Sequence, residues 1–198
     1  AKFKNARFHQ VSTDEVYGSI QNGSFSEKDK YSPNSPYSAS KAGADHLVRS
    51  FNKTYGLNTT ISISSNNFGN LQNEEKFIPK IIKSIKENKA MTIYGNGLNV
   101  RDWIFVEDNC EAIDIIFRNG KSGNSYNVGS GNEFSNIEII DLISKITSRR
   151  VKISYVEDRY GHDFRYSLNF TKISDELGWK PKSIFHERIK KYLKQYLG

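Results

Sequence analysis

The 198 residues predict an α/β protein in which a doubly wound, largely parallel sheet packs against a smaller α/β lobe, with a cleft between them. Strand-like and helix-like segments alternate from end to end, the pattern of successive βαβ units. Helix ends are marked by strong local signals, among them Ser35-Pro36, Gly56, Ser135-x-x-Glu138 and Gly178. Beyond residue 70 the elements shorten and loops become more frequent, which sets residues 71–198 apart from residues 1–70 as a second lobe, with segments free to cross back.

Taken in order, Arg7 to Ser12 reads as a short strand running into the polar cluster Thr13-Asp14-Glu15. Ser35 then caps a helix with Pro36 at its first position, and Gly56 stops it after Tyr55. The β-branched residues Thr59, Thr60, Ile61 and Ile63 make 58–64 a strand, and Ser65-Asn66-Asn67-Phe68-Gly69 a polar turn. A helix over 77–88 carries Ile78, Ile81, Ile82 and Ile85 on one face, with Lys80, Lys83 and Lys86 as its polar edge. Strands follow at 91–94 and 101–105, a helix at 107–118, and a strand at 125–128. The Ser135/Glu138 capping box opens a helix to 147. A strand at 151–156, a short helix at 171–177 and a last helix at 184–197 complete the chain.

The apolar (36%) and aromatic (13%) shares are those of a folded domain. No apolar run approaches the roughly 20 residues that span a bilayer, and Ala1–Arg7 lack the apolar stretch of a signal peptide. A lone cysteine, Cys110, leaves no internal disulfide and fits a reducing, cytoplasmic setting; on its helix it reads as core. The net charge of +7 points to an anionic partner or to a solvated lysine-rich surface. No nucleic-acid module accompanies the lysines, so neither nucleic acid nor membrane is an expected partner.

A dinucleotide site needs a glycine-rich turn between strand and helix. Gly95-Asn96-Gly97 would require glycine where Val100 stands, and Gly129-Ser130-Gly131 where Phe134 stands. Neither turn is such a cradle. The economical expectation is that the first strands of the sheet lie outside this sequence.

Tyr37-x-x-x-Lys41 sets a phenol and an ammonium four apart on one helix face. A tyrosine acting as a base needs its pKa lowered, and a neighbouring cation does that. Thr13, at the carboxyl end of the first strand, can offer a hydroxyl to a substrate oxygen. Adjacent Asp14 and Glu15 can divide acid and base roles if their surroundings differ. Arg101 and Arg159 have the forked geometry that clamps a diphosphate, although Arg101-Asp102 also reads as a local ion pair. His9 reads as a packed strand histidine.

The ordered set Ser12-Thr13-Asp14-Glu15-Val16-Tyr17-Gly18, Ser35-Pro36-Tyr37-Ser38-Ala39-Ser40-Lys41, Ser65-Asn66-Asn67-Phe68-Gly69, Ile93-Tyr94-Gly95, Arg101-Asp102-Trp103, Tyr126-Asn127-Val128-Gly129 and Asp158-Arg159-Tyr160-Gly161-His162-Asp163 resembles the extended short-chain dehydrogenase/reductases. Within that superfamily it is most similar to the dTDP-glucose 4,6-dehydratase family, over nearly the whole chain. The resemblance implies the C-terminal part of a Rossmann-like sheet plus a substrate lobe, with NAD as cofactor and its glycine loop upstream of Ala1. It implies a nucleoside-diphosphate sugar, dTDP-glucose, as substrate, and a homodimer joined through the Tyr37 helix, where Ala42, Val48 and Phe51 offer apolar surface.

By the same resemblance Asp14 is the acid and Glu15 the base of a cycle of C4 oxidation, loss of water across C5 and C6, and hydride return to C6. Thr13, Tyr37 and Lys41 complete the catalytic set. Asn66, Lys76, Phe77, Tyr94, Arg101, Asn127, Arg159 and His162 line the substrate site. Tyr37, Lys41 and Asn67 meet the cofactor, and no metal is implied. Two departures stand out. Tyr160 replaces the family's usual proline, which predicts a less rigid loop, and the Glu15–Tyr37 stretch is short, which predicts a more open rim. Other readings are a nucleotide-sugar epimerase or decarboxylase of the same superfamily, or a non-catalytic domain that binds nucleotide sugar.

Overall fold

The computed structural model describes residues 6–198; Ala1–Asn5, read above as part of a leader-free start, lie outside the described residues. The fold is α/β, with three small sheets among the described residues. In the first, β1 (Arg7–Thr13), β2 (Asn58–Ser64) and β6 (Asn124–Val128) run parallel in the order β1-β2-β6. Thr13 pairs with Ser64, and Ser64 with Val128, so the three strands finish level at their carboxyl ends. Ligands of open parallel sheets bind at that end. β6, which comes from the second half of the chain, pairs with β2 from the first.

α1 (Pro36–Tyr55) starts and stops where its local signals say. Ser35 is extended and its hydroxyl accepts from the Ser38 amide, Ser38 caps back, and Gly56 takes the left-handed conformation at φ 66°. Its buried face is Ser38, Ala42 and Asp45. Asp45 accepts from Ser12 Oγ at 2.6 Å and from Tyr31 Oη at 3.0 Å, which fastens the helix to the end of β1. Ala42 therefore faces inward, and Val48 packs on the same core; of the three residues expected to give outer apolar surface only Phe51 does, in a stripe with Leu47 and Tyr55.

The expected turn at 65–69 is in part a strand, β3 (Asn66–Phe68), parallel to β5 (Val100–Phe105). β7 (Glu133–Ser135) pairs antiparallel on the other side of β5. Strands of three residues owe their conformation to the neighbour they pair with, which composition does not reveal. β4 (Met91–Tyr94) and β8 (Ile153–Val156) form the third, parallel sheet. α2 (Phe77–Glu87), α4 (Asn136–Thr147) and α6 (Phe185–Leu197) close over these sheets around Ile78, Ile81, Ile139, Ile143 and Ile189. Each such side chain contributes roughly 1.5–3 kcal/mol by leaving water. The lysine edge of α2 is exposed as expected.

α3 (Val106–Asn119) and α5 (Thr171–Leu177) enclose a second core against β6. Cys110, expected in the core, is exposed. The inward positions of α3 are Asp108, Asn109, Ala112 and Ile116, and Cys110 is turned about 200° from both Asp108 and Ala112. His9 is the packed strand histidine expected: Nδ1 meets Thr60 Oγ1 at 2.9 Å and Nε2 meets Ser62 Oγ at 3.1 Å. Among the described residues no helix is long and apolar enough to cross a membrane. No glycine-rich strand-to-helix turn occurs among them either: Gly95 and Gly97 lie between β4 and β5, and Gly129 and Gly131 between β6 and β7.

Candidate active site

The carboxyl end of β1 passes directly into a single 3-10 turn, Asp14–Tyr17. Thr13 holds it: its hydroxyl accepts from the Glu15 amide at 3.4 Å and donates to Asp14 Oδ1 at 3.2 Å. The turn sends the two adjacent carboxylates different ways. Asp14 points inward, 3% exposed, with Oδ2 lacking any partner among the described residues. Glu15 is half-buried and lines a cleft that α1 borders with Ser35, Pro36 and Tyr37.

Environment then separates their acidities. Burial, reinforced by the Glu15 charge and opposed by Arg101, raises the Asp14 pKa to about 8. Glu15 is also raised by burial, but Arg101, Lys76 and Arg159 pull it back. At neutral pH Asp14 keeps its proton, while Glu15 faces three cations. A neutral acid beside a carboxyl group whose ionised form cations favour is the division of labour that elimination of water requires.

Tyr37 behaves differently from its sequence expectation. Its pKa is raised, by burial and then by the charges of Glu15 and Asp14. Lys41 does not offset this, because its ammonium donates to the Val11 carbonyl at 2.6 Å. Spacing four apart on a helix fixes a common face, but the nearest acceptor decides where a long lysine points.

The cleft has two halves that share Asn66, Lys76, Arg101, Arg159 and His162. One half continues to Glu15 and Tyr37. The other continues over Phe77, Met91, Ile93 and Tyr94 to Lys80 and Asn136. The shared waist is basic. Arg159 lies 4.9 Å from the Tyr94 ring centre and its guanidinium makes no hydrogen bond among the described residues. His162 Nδ1 meets Asp158 Oδ1 at 2.6 Å, and the same oxygen accepts from the Arg159 amide, so Asp158 shapes the loop that carries both residues. Burial lowers the His162 pKa against the opposing pull of Asp158.

Arg101 does not pair with Asp102. Its guanidinium donates to the carbonyls of Val100, Asp163 and Phe164 and lies over Tyr166. Asp102 accepts instead from the Ser130 amide and hydroxyl and from the Asn132 amide.

One residue expected to line the substrate cleft falls elsewhere. Asn127 is fully buried, with every polar atom engaged: Oδ1 accepts from Tyr17 Oη at 2.9 Å, and Nδ2 donates to the carbonyls of Phe25 and Asn169. A strand position facing the sheet core cannot reach the cleft. The asparagine that does is Asn136, the first residue of α4, which the sequence reading passed over. Its signal was present, since it directly follows the cap Ser135. Asn67, expected to meet the cofactor, is half-buried, and its Nδ2 donates to the Ser65 carbonyl.

Oδ1 of Asn67 is buried without a partner among the described residues, as is Ser65 Oγ. These two atoms, with a tyrosine acted on by the Glu15 and Asp14 charges, fit the uncharged amide and positive ring of a nicotinamide. No turn among the described residues fits the diphosphate of the same cofactor.

A sheet whose strands end at such a cleft, with Tyr37-x-x-x-Lys41 on the following helix, defines an extended short-chain dehydrogenase/reductase with a Rossmann-like fold. A family model described as GDP-mannose 4,6 dehydratase matches residues 1–192, and the chain belongs to that family. It is 45% identical over 215 residues to the dTDP-glucose 4,6-dehydratase of Escherichia coli, covering 100% of this chain and 60% of that protein. It is 47% identical over 193 residues to the low-salt glycan biosynthesis protein Agl12 of Haloferax volcanii, covering 97% of this chain and 62% of that one. The dTDP-glucose 4,6-dehydratase DesIV of Streptomyces venezuelae, solved with NAD bound, superposes with a TM-score of 0.93 at 39% identity over 96% of this chain and 59% of its own. The chain thus spans about three-fifths of the length of the curated relatives it matches.

Proposed function

We propose that this chain carries the catalytic and sugar-binding portion of an NAD-dependent dTDP-glucose 4,6-dehydratase. The observation that carries the reading is the split between Asp14, buried and held protonated up to about pH 8, and Glu15, open to the cleft beneath three cations. Bound NAD would supply the hydride acceptor at C4 and the hydride returned at C6, with Tyr37, Lys41 and Asn67 holding its nicotinamide end.

The diphosphate lies at the basic waist against Lys76, Arg159 and His162, with Arg101 adding charge from beneath. The nucleoside extends over Phe77 and Tyr94 to Asn136, with Asn66 at the junction, and the hexose reaches Glu15 and Tyr37. Tyr37, whose pKa burial and the neighbouring carboxylates hold high, would become a competent base only beside the positive charge of bound NAD, and there it accepts the proton of the C4 hydroxyl, whose oxygen Thr13 steadies. The ketone formed at C4 acidifies C5, and Glu15 removes that proton. Asp14 protonates the departing C6 hydroxyl, so the C6–O bond breaks and water leaves. Glu15 then returns its proton to C5, and the proton held by Tyr37 restores Asp14 through solvent. Each proton transfer of this kind contributes about 10²–10⁴-fold.

Residues 1–70 together with β6 form the cofactor side, and the remainder is mainly the sugar side. The exposed stripe Leu47, Phe51 and Tyr55 on α1 supports a homodimer through that helix. The test uses the full-length protein that contains this chain, incubated with dTDP-glucose and NAD. The product is expected to be lighter by one water, and Glu15→Gln is expected to reduce the cofactor while releasing almost none of it. A product of unchanged mass, as from an epimerase, or lighter by carbon dioxide, would overturn the proposal.

A further inference from the structure

Three segments carry the groups assigned above: the 3-10 turn with Asp14 and Glu15, the first turn of α1 with Tyr37, and the loop with Arg159 and His162. They are far apart in sequence, yet Ser32–Asn34 touches all three. The Ser32 amide donates to the Val16 carbonyl at 3.0 Å, inside the 3-10 turn. Asn34 immediately precedes Ser35, the cap of α1. Across the cleft, Asn34 Nδ2 donates to Asp163 Oδ1 at 2.6 Å. Gly161 packs so closely that a Cβ there would sit 2.5 Å from the Asn34 carbonyl oxygen, and its φ of +67° suits only glycine well.

Asp163 is 6% exposed and joined on every side. Its Oδ2 accepts from Tyr166 Oη at 2.7 Å, and its carbonyl accepts from Asn99 and from Arg101 at 2.9 Å. It follows His162 directly and lies four residues after Arg159. Movement of the diphosphate loop is therefore transmitted through one part-buried hydrogen bond to the residue that leads into the Tyr37 helix.

We infer that the Asn34–Asp163 hydrogen bond is a coupling joint: engagement of a nucleoside diphosphate by the Arg159–His162 loop sets the position of Tyr37. Asn34 and Asp163 are positioning residues and touch no reacting atom. The inference rests on the substrate class proposed above. Its energetic logic is that binding to the part of the substrate that does not react orients the part that does, and a displacement of about 1 Å at a reacting group can cost about 10²-fold in rate.

The test uses the full-length protein in four forms: wild type, Asn34→Ala, Asn34→Asp, and the exchange Asn34→Asp with Asp163→Asn. In the exchange an amide at 163 can donate to a carboxylate at 34 and still accept from Tyr166. Two readouts are taken, kcat for dTDP-glucose and amide hydrogen exchange with and without dTDP. For Asn34→Ala, kcat is expected to fall roughly 10–100-fold while affinity for dTDP changes less than about threefold. Added dTDP should slow exchange of 158–163 in every form. It should slow exchange of 37–40 only in wild type and in the exchange variant, which also recovers kcat.

Protection of 37–40 by dTDP in Asn34→Ala, or kcat and dTDP affinity falling together without recovery in the exchange variant, would overturn the coupling. Should wild type bind dTDP but fail to dehydrate the sugar, the proposed activity is wrong and the exchange pattern still decides the joint. Should wild type bind neither dTDP nor UDP, the joint has nothing to transmit and is overturned as well.

Discussion

The guanidinium carbon of Arg101 stands 4.3 Å from the centre of the Tyr166 ring, and three backbone carbonyls take its hydrogens. Held this way beneath the cleft, it acts on Asp14 and Glu15 mainly through its charge, which favours the ionised form of both. Arg101→Met removes that charge, so both carboxyl groups become weaker acids. The acid limb of the kcat/KM profile, which reports ionisation of Glu15, should then move to higher pH. Arg101→Lys keeps a charge but loses the planar stack and fork, and should lower kcat/KM at least about 10-fold with a smaller movement of the limb. A limb fixed in both variants would remove Arg101 from the electrostatics of the pair.

Asp14 carries a stability cost with a definite sign. Its folded pKa, about 8, lies above its ordinary value of 3.8. Folding therefore favours the protonated form, and the stability associated with it is full below pH 4 and is lost as pH rises toward 8. The penalty at pH 8 is on the order of 5 kcal/mol. Asp14→Asn, which cannot ionise, should equal wild type in urea unfolding near pH 4, exceed it at pH 8, and be inactive. Parallel wild-type and variant curves across that range would refute the buried neutral acid.

Where a structural decision was local, the sequence displayed it. The bounds of α1 follow from Ser35, Pro36 and Gly56, and those of α4 from the Ser135/Glu138 box, because caps are satisfied within a few residues. Where a decision depended on a distant partner, the sequence was silent. β3 and β7 exist only through β5. Lys41 shares a helix face with Tyr37, yet the Val11 carbonyl on another element captures its ammonium. Asn127 and Asn136 are equally polar in sequence, and only the direction of a buried strand and the start of a helix separate them. The chemistry of Asp14 and Glu15 was legible as a pair of types. Which of them would be neutral by burial was not, since the residues that enclose Asp14 come from the whole chain.

His9 titrates in the opposite sense. Burial, and then the neighbouring Arg7 charge, lowers its pKa to about 4. Its two ring nitrogens are matched to hydroxyls of Thr60 and Ser62, partners a neutral imidazole satisfies. The ordinary value is 6.5, so the stability tied to neutral His9 is present above pH 6.5 and is lost as pH falls toward 4. His9→Gln should flatten the decline in urea midpoint between pH 6.5 and 4.5, measured beside wild type. A slope unchanged by the substitution would mean that other groups carry the acid sensitivity. Activity near pH 7 should stay within about twofold, because the ring lies away from the cleft and surface-type effects are small.

Gly18 closes the 3-10 turn that aims Asp14 inward and Glu15 into the cleft. It adopts φ +81°, and a Cβ there would lie 2.4 Å from the Ser32 carbonyl oxygen, a backbone atom that cannot swing aside. Gly23, with φ +75°, has open space around the same position. The two glycines therefore separate conformational strain from steric conflict within one loop. Gly23→Ala should cost only the left-handed backbone preference, roughly 1 kcal/mol. Gly18→Ala adds a clash and should cost roughly 2–4 kcal/mol, a fall in Tm of roughly 4–16 °C for a chain of this size. Because the displaced segment runs into Asn34 and the cap of α1, Gly18→Ala should also lower kcat well beyond its effect on dTDP affinity. Equal losses of stability in the two variants would show that Ser32 gives way, and that the turn holding the two carboxylates is not fixed by that contact.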